Sequence, residues 1–189
     1  TEWKWSQVEI WARAFPRVHV LRVNAPDKLD YLERLGIESC DGTGWNHDWD
    51  GIERAYQSGI KVHLLCSPHN PLGKVYPKED LLRIVALAKK YNVVVISDEI
   101  HAPLTFKEQP FTPFLSLGSD AAEVGIAVTA ASKGWNIAGL KCAIIISQSP
   151  KMHEKLNELA PAMHYRASLI GAFATVAAFE KGDEWLDSA

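Results

Sequence analysis

Three polar side chains that could act together in catalysis each follow a short apolar run of this sequence. They are Asn70 in "HNPLG", Asp98 in "SDEIH" and Lys133 in "TAASKGWNIAGLK". A single lysine is usually solvated, but the residues that flank Lys133 are small or apolar rather than charged. A lysine kept in such surroundings loses its proton more readily and becomes the nucleophilic amine that Schiff-base chemistry requires. Asp98 is placed to meet a positive charge that a ligand brings.

Each of these residues also has an ordinary structural interpretation when it is taken alone. Asp98 is compatible with a strand that surfaces into a polar loop, and Asn70 with a turn, since "HNP" is good turn chemistry. His101, alone, would more often be a packed or hydrogen-bonded histidine than a catalyst. Only their combination points to a site, and that combination depends on the elements that carry them.

Residues 62–97 have the pattern of a strand, a crossover helix and a second strand. "VHLLCSP" is an apolar run closed by a proline, and "YPKEDLLRIVALAKKYN" predicts a helix with Pro77 at its first position and Asn92 as a left-handed cap. The continuous β-branched run "VVVIS" predicts a strand buried on both faces. A strand–helix–strand unit favours a parallel sheet. The apolar positions that share one face of the helix are Leu81, Ile84, Val85 and Ala88.

The sequence after this unit predicts two more strands and two more helices. "GIAVTAA" and "CAIIIS" are expected to be buried strands, while "SPKMHEKLNELA" and "ASLIGAFATVAAFEKG", which ends at Gly182, are expected to be helices. The predicted fold class is therefore α/β, with helices covering both faces of a mostly parallel sheet. Ligands of such sheets bind beyond the carboxyl ends of the strands, where Asn70, Asp98 and Lys133 fall. Nearer the start, "WSQVEIWARAF" is compatible with a helix and "RVHVLRV" with a strand.

Composition argues against several classes of protein. With 189 residues, 47% hydrophobic and 23% charged, the chain is ordinary globular material for one large domain or two small ones. A net charge of −3 gives no hint of nucleic acid or an anionic membrane as a partner, and no apolar stretch is long enough to span a bilayer. Cys40, Cys66 and Cys142 form no CxxC pair, so a disulfide framework or thiolate metal site is not indicated and a reducing cytoplasm is expected. None of the seven histidines has HExxH or HxxxH spacing, which disfavours a metal-dependent hydrolase.

An amine, an acid and an amide at one edge of a sheet match the requirements of pyridoxal phosphate. That cofactor needs a lysine for its aldehyde, a carboxylate for its ring nitrogen and donors for its phenolic oxygen and its phosphate. The ordered motifs "HNPLG", "SDEIH" and "SKGWNIAGLK" resemble those of the fold-type I pyridoxal-phosphate enzymes, the aspartate aminotransferase superfamily. Within it, "CSPHNPLGKV" followed by "SDEIH" is most similar to the cystathionine β-lyase (C–S lyase) branch of the MalY/PatB type, because aminotransferases more often have a second asparagine at the position of His69. The resemblance runs from about Gly44 to the end of the chain.

The resemblance implies a role for each motif residue around the ring of the cofactor. Lys133 would bind the aldehyde covalently and serve as the catalytic base, and Asp98 would pair with the ring nitrogen and keep it protonated. Asn70 would hydrogen-bond the phenolic oxygen. His101 stands where relatives often place a tyrosine that touches the same oxygen.

The implied phosphate contacts depart most from the family pattern. Ser132 would contact the phosphate, and Lys141 stands where many relatives have a phosphate-binding arginine. A lysine still binds phosphate as a point charge, but it lacks the two-pronged hydrogen bonding of an arginine. Ala130 stands where relatives often have a small hydroxyl residue or glycine, so one phosphate contact is expected to be missing.

The function implied by the resemblance is that of a carbon–sulfur β-lyase. Such an enzyme cleaves cystathionine or related cysteine S-conjugates to a thiol, pyruvate and ammonia, and works as a cytoplasmic homodimer. An aminotransferase would use the same residues, and a non-catalytic binding module that keeps the scaffold is the third interpretation. The resemblance also implies that residues 1–189 are part of a large pyridoxal-phosphate-binding domain, with residues 1–43 poorly matched and the small C-terminal domain absent.

Overall fold

The computed structural model describes residues 47–163 and 165–188. The helix and strand expected from "WSQVEIWARAF" and "RVHVLRV" lie outside the described residues, as does Cys40. The chain divides into two compact units, with the boundary after Val62. Each unit has its own elements and is taken separately.

The described part of the first unit contains one helix, α1 (Trp49–Gln57). Asp48 caps it, because its carboxylate accepts a hydrogen bond from the backbone N–H of Gly51 at 2.8 Å. Tyr56 is buried on this helix, and burial raises the pKa of its phenol. None of the residues predicted to form the site lies in this unit.

The second unit is built around a sheet of four strands that lie side by side in sequence order. β2 and β3 are parallel, with Asp98 opposite Val128. Just beyond β1, the N–H of Ser67 donates to the carbonyl of Asp98 at 3.0 Å, so β1 and β2 end at the same edge. The predicted α/β class with a mostly parallel sheet is confirmed. The strands are β1 (Val62–Cys66), β2 (Val94–Asp98), β3 (Gly125–Thr129) and β4 (Ile144–Ile146).

The crossover helix α2 (Lys78–Tyr91) joins β1 to β2. Pro77 is its N-cap rather than its first helical residue, because the proline backbone is extended at ψ 149°. Asn92 adopts the predicted left-handed cap at φ 53°, and its N–H donates to the last-turn carbonyls. The predicted apolar face is confirmed, with Leu81, Ile84, Val85 and Ala88 all buried.

Most of the core lies on one side of the sheet. Helix α2 packs there with the short helix α3 (Ser119–Val124) and the 3₁₀ turn Phe114–Leu117. The prediction that "VVVIS" is buried on both faces is wrong in part. Val95 and Ser97 are fully buried, whereas the alternate residues Val94, Ile96 and Asp98 are only half-buried, because the described helices close over one face of this strand more tightly than over the other.

Strand β4 departs most clearly from the sequence expectation. It runs antiparallel to β3, and its three isoleucines are 37–46% exposed rather than buried. The reason is its position, since it is the last strand in the order of the sheet and is paired on one side only within the described residues. A run of isoleucines predicts a strand from residue type alone, but it does not say what covers the strand.

Three helices follow β4 and end the described chain. α4 (Pro150–Asn157) and α5 (Leu169–Lys181) are capped by Ser149 and Ser168, whose hydroxyls accept N–H hydrogen bonds from the first turn, and α6 (Asp183–Ser188) follows Gly182. Both predicted helices are therefore confirmed. Among the described residues, no helix combines the length and the apolar character needed to cross a bilayer.

Candidate active site

Asn70 lies in a tight turn at the carboxyl end of β1. The turn is closed by the N–H of His69, which donates to the carbonyl of Lys74 at 2.8 Å, and by the N–H of Gly73, which donates to the carbonyl of His69 at 2.8 Å. Inside the turn, the Cys66 thiol accepts from the N–H of Asn70 and donates to the carbonyl of Pro68, both at 3.5 Å. The turn therefore fixes the backbone from which the Asn70 side chain projects.

Cys66 is a residue of this edge that the sequence did not single out. Burial raises the pKa of its thiol, and the charge of Asp98 adds to the effect, while the hydrogen bond from Asn70 lowers it. The thiol is thus kept protonated, which suits its structural role as a donor in the turn. Cysteine pairs and metal-ligand spacing, the patterns that cysteines leave in a sequence, give no signal for such a role.

Asp98 ends β2 and is half-buried at the same edge. Its Oδ1 atom accepts a hydrogen bond from the N–H of Ile100 at 3.2 Å. Within the described chain its carboxylate has no cationic partner. A strand-end acid with one backbone hydrogen bond and no counter-ion is available to a cationic ligand group.

Glu99 follows Asp98 directly but has a different surrounding. Successive side chains of an extended segment point to opposite sides, and Glu99 is buried where Asp98 is half-exposed. Its Oε1 atom accepts from the hydroxyl of Ser97 at 3.1 Å and from the N–H of Phe114 at 2.8 Å. Burial raises the pKa of Glu99. Of the two acids in "SDEIH", Glu99 therefore accepts hydrogen bonds within the core, and Asp98 remains accessible to a ligand.

Asn70 and His101 are brought together by the fold although 31 residues separate them. The amide Nδ2 of Asn70 lies 3.5 Å from Nε2 of His101. The direction of a hydrogen bond between these two groups depends on the histidine tautomer. Asn70 and His101 thus both lie at the edge of the sheet that carries Asp98.

The Lys133 loop lies beside the turn that carries His101. A Cβ atom added to Gly134 would come within 3.1 Å of Pro103 Cβ, which places this glycine directly against the turn after His101. The loop is closed by the N–H of Trp135, which donates to the carbonyl of Ala131 at 3.1 Å. The segments after β1, β2 and β3 therefore meet at one edge of the sheet.

The surroundings of Lys133 differ in part from the sequence expectation. Its neighbours Ala130, Ala131 and Gly134 are buried, but Lys133 itself is exposed. The small residues thus bury the backbone of the loop and not the amine, because none of them is large enough to cover a lysine side chain. Lys133 makes no ion pair with the acids of the described residues.

The two predicted phosphate residues are placed at opposite ends of the same loop. Ser132 is half-buried next to Lys133, and Lys141 is exposed with a left-handed backbone at φ 52°. The carbonyl of Lys141 accepts from the N–H of Ser168 at 3.2 Å, which ties it to the start of α5. Within the described chain, no hydrogen bond joins either side chain to Asn70 or Asp98.

The side chains at this edge fit the groups of pyridoxal phosphate. An acid without a counter-ion suits a protonated ring nitrogen, and two lysines without acidic partners in the described chain suit an aldehyde and a phosphate. The ring of His69, next to Asn70, also has a buried Nδ1 atom without a partner among the described residues. Burial lowers the pKa of His69, so the ring is kept neutral.

Comparison with known proteins decides the family. Residues 34–188 match the family model described as aminotransferase class I and II. This chain belongs to that family. The match includes all six predicted site residues of this aminotransferase-family chain, from Asn70 to Lys141.

The aminotransferase-family relatives that resemble this chain include named lyases. The chain is 36% identical over 143 residues to cystathionine beta-lyase from Corynebacterium glutamicum, covering 75% of this chain and 39% of the relative. It is 35% identical over 144 residues to cystathionine beta-lyase PatB from Bacillus subtilis, and this match covers 74% of this chain and 37% of the relative. The crystal structure of the PLP-bound C-S lyase from Staphylococcus hominis has a TM-score of 0.69 at 30% identity, and this match covers 80% of this chain and 38% of that protein. The chain thus spans 37–39% of the length of these proteins.

Proposed function

We propose that this chain forms part of a pyridoxal-phosphate site at the carboxyl ends of β1, β2 and β3. In this proposal Lys133 holds the aldehyde of the cofactor, Asp98 holds its ring nitrogen and Asn70 donates to its phenolic oxygen. The observation that carries the proposal is the meeting of the three segments. Asn70 Nδ2 contacts His101 Nε2 at 3.5 Å, and Gly134 packs against the turn that follows His101.

His101 and the phosphate residues complete the proposed site. In this proposal the contact with the His101 ring orients the Asn70 amide toward the cofactor. Ser132 and Lys141 provide a hydroxyl donor and a positive charge for the phosphate. Lys141 supplies charge without the two-pronged geometry of an arginine, so a larger share of phosphate binding falls on other donors.

The chemistry at this site follows from where each residue holds or moves a proton. Pyridoxal phosphate, when bound, supplies an electron sink for a carbanion at Cα of an amino acid. The Asp98 carboxylate stabilises the positive charge on the ring nitrogen, without which the sink is weak. The Nζ atom of Lys133, once released by the substrate amine, removes the proton from Cα.

The proposed reaction is β-elimination of a thiol from cystathionine or a related cysteine S-conjugate, followed by hydrolysis of the remaining three-carbon amine, which consumes one water molecule and gives pyruvate and ammonia. The support is the similarity to relatives named as lyases at 35–36% identity and the presence of His69 before Asn70. Transamination would use the same lysine, acid and amide. The two outcomes would differ in whether a thiolate leaves Cβ of the substrate and in where the proton that Lys133 removes from Cα is delivered.

We also propose that the protein works in the cytoplasm as a homodimer. Cys66 and Cys142 are both free thiols, which is compatible with a reducing compartment. Three apolar residues of α5 are each about 70% exposed within the chain, namely Leu169, Ile170 and Phe173. In this proposal a second subunit buries this apolar face. Sedimentation of the purified protein tests the dimer directly, because a monomeric holoenzyme would contradict it.

A colour and product assay tests the proposed function. Protein purified with pyridoxal phosphate should be yellow and should release pyruvate from cystathionine without an added keto acid. Glutamate formed from 2-oxoglutarate, without pyruvate release, would instead identify an aminotransferase. Cofactor bound without either product would identify a binding module, and no bound cofactor would refute the proposal.

A further inference from the structure

Two tryptophans tie the Lys133 loop to the end of the described chain by exchanging hydrogen bonds. The indole N–H of Trp185 in α6 donates to the carbonyl of Gly134 at 3.0 Å. In return, the indole N–H of Trp135 donates to the carbonyl of Gly182, just before α6, at 2.9 Å. The Trp135 ring also stacks edge-on against Phe179 of α5 with the centroids 5.0 Å apart.

Of the two glycines that accept these bonds, Gly182 has no space for a side chain and Gly134 has little. A Cβ atom on Gly182 would overlap the indole of Trp135 and the carbonyl of Ala178. A Cβ atom on Gly134 would lie 3.1 Å from Pro103 Cβ and 3.3 Å from Leu186 Cδ2. Gly134 is buried, so its carbonyl depends on the Trp185 indole for a donor in place of water.

The bond from Trp185 acts on the residue that adjoins Lys133. The Lys133 side chain is exposed and makes no ion pair with a described residue, so among the described contacts only the backbone of its loop fixes the point from which the amine reaches out. That backbone is held on one side by the Trp135 N–H to Ala131 bond and on the other by the indole of Trp185.

We propose that Trp185 is a positioning residue for Lys133. This inference rests on the proposed role of Lys133 as the lysine that holds the cofactor. The indole fixes the peptide after Lys133, so the loop loses little further conformational entropy when the amine reaches the aldehyde. Trp185 touches neither the amine nor the cofactor in this proposal and acts only through the loop.

A double-mutant cycle on cofactor affinity separates positioning from simple structural support. The dissociation constant for pyridoxal phosphate is measured by absorbance for the wild-type protein, Trp185→Phe, Lys133→Ala and the double variant. Phenylalanine keeps an aromatic ring at this position and removes the N–H donor, although its phenyl ring is smaller than an indole. Loss of one hydrogen bond should weaken binding about three- to tenfold when Lys133 is present. In the Lys133→Ala background, where the cofactor binds without the covalent bond, Trp185→Phe should have no effect.

Each outcome of the cycle decides for or against the inference. An equal loss of cofactor affinity in both backgrounds would mean that Trp185 only supports the fold. No loss of affinity in either background would mean that the bond from Trp185 does not affect cofactor binding. Either result overturns the proposal. If the wild-type protein binds no pyridoxal phosphate, the proposed function itself fails. If Trp185→Phe does not fold, Trp135→Phe, which removes the reciprocal bond, should show the same dependence on Lys133, and its absence overturns the proposal.

Asp187→Asn is the matched control on the same helix. Asp187 pairs with Lys107 at 3.0 Å, and both side chains are mostly exposed. The substitution perturbs α6 two residues from Trp185 and leaves the bond to Gly134 intact. The affinity for pyridoxal phosphate should stay at the wild-type value, and a loss as large as that of Trp185→Phe would overturn the positioning role.

Discussion

Replacement of Glu99 gives a stability prediction that can be worked out from the contacts of one side chain. The residue is 7% exposed, and its Oε1 atom accepts from the Ser97 hydroxyl at 3.1 Å and from the Phe114 N–H at 2.8 Å. Ser97 and Phe114 are themselves buried, so water cannot replace the carboxylate. Glu99→Ala leaves two buried donors unpaired, whereas Glu99→Gln keeps an oxygen in the same place.

The expected loss follows from those two donors. Each buried donor left without a partner costs about 1–3 kcal/mol, so Glu99→Ala should lower the free energy of unfolding by about 2–6 kcal/mol. Glu99→Gln should retain most of the stability, because the amide oxygen accepts the same bonds and the cost of a buried charge is removed. Glu108→Ala, in an exposed loop, is the control and should change the free energy of unfolding very little.

The pH dependence of this difference has a definite sign. Burial raises the pKa of Glu99, the charge of Asp98 adds to it, and the hydrogen bonds from Phe114 and Ser97 oppose it. The folded protein therefore holds this proton more tightly than the unfolded chain. The contribution of Glu99 to the free energy of unfolding is therefore largest below the ordinary pKa of a glutamate, and it is lost as the pH rises through the raised pKa. The free energy of unfolding of wild type minus that of Glu99→Gln should fall over this window and then level off.

Urea unfolding followed by tryptophan fluorescence at a series of pH values measures both effects. Alanine and glutamine variants with equal losses would show that the hydrogen bonds to Ser97 and Phe114 are not what Glu99 contributes. A wild-type advantage over Glu99→Gln that grows as the pH rises would contradict the raised pKa.

Three further substitutions test the site itself. Lys133→Ala should abolish turnover while pyridoxal phosphate still binds noncovalently, and turnover near the wild-type rate would refute its assignment. Asp98→Ala should weaken cofactor binding or turnover by about 3–5 kcal/mol, because a charged ring nitrogen loses its counter-ion; a loss below tenfold in both would contradict that pairing. Asn70→Ala should cost about 1.5–3 kcal/mol, the value of a hydrogen bond to a charged oxygen, and an unchanged visible absorption spectrum would place the amide away from the cofactor.

The parts of the fold that were predictable are those where local chemistry and tertiary packing agree. The apolar face and the Asn92 cap of α2 could be predicted because helix periodicity and a left-handed asparagine depend on neighbours within one or two turns. Strand β4 could not, because exposure and direction depend on what lies beside it in the sheet. The half-exposed face of β2 was missed for the same reason.

The placement of the candidate residues after neighbouring strands was predictable from the sequence, and their contacts were less so. The sequence indicated that Asn70 and Asp98 end neighbouring strands, but the contact between Asn70 and His101 needs the turn geometry on both sides. Glu99 and Cys66 were missed because a buried acid and a lone thiol leave no spacing pattern in a sequence. Lys133 was expected to be covered, yet small neighbours bury a backbone and leave a long side chain exposed.

Reductive labelling determines whether one edge of this sheet holds pyridoxal phosphate through Lys133. The purified protein is incubated with the cofactor, reduced with borohydride, digested and mapped by mass spectrometry. The expected result is loss of the yellow colour and a stable cofactor adduct on Lys133. An adduct confined to another lysine, or none at all on protein that remains folded, would contradict it.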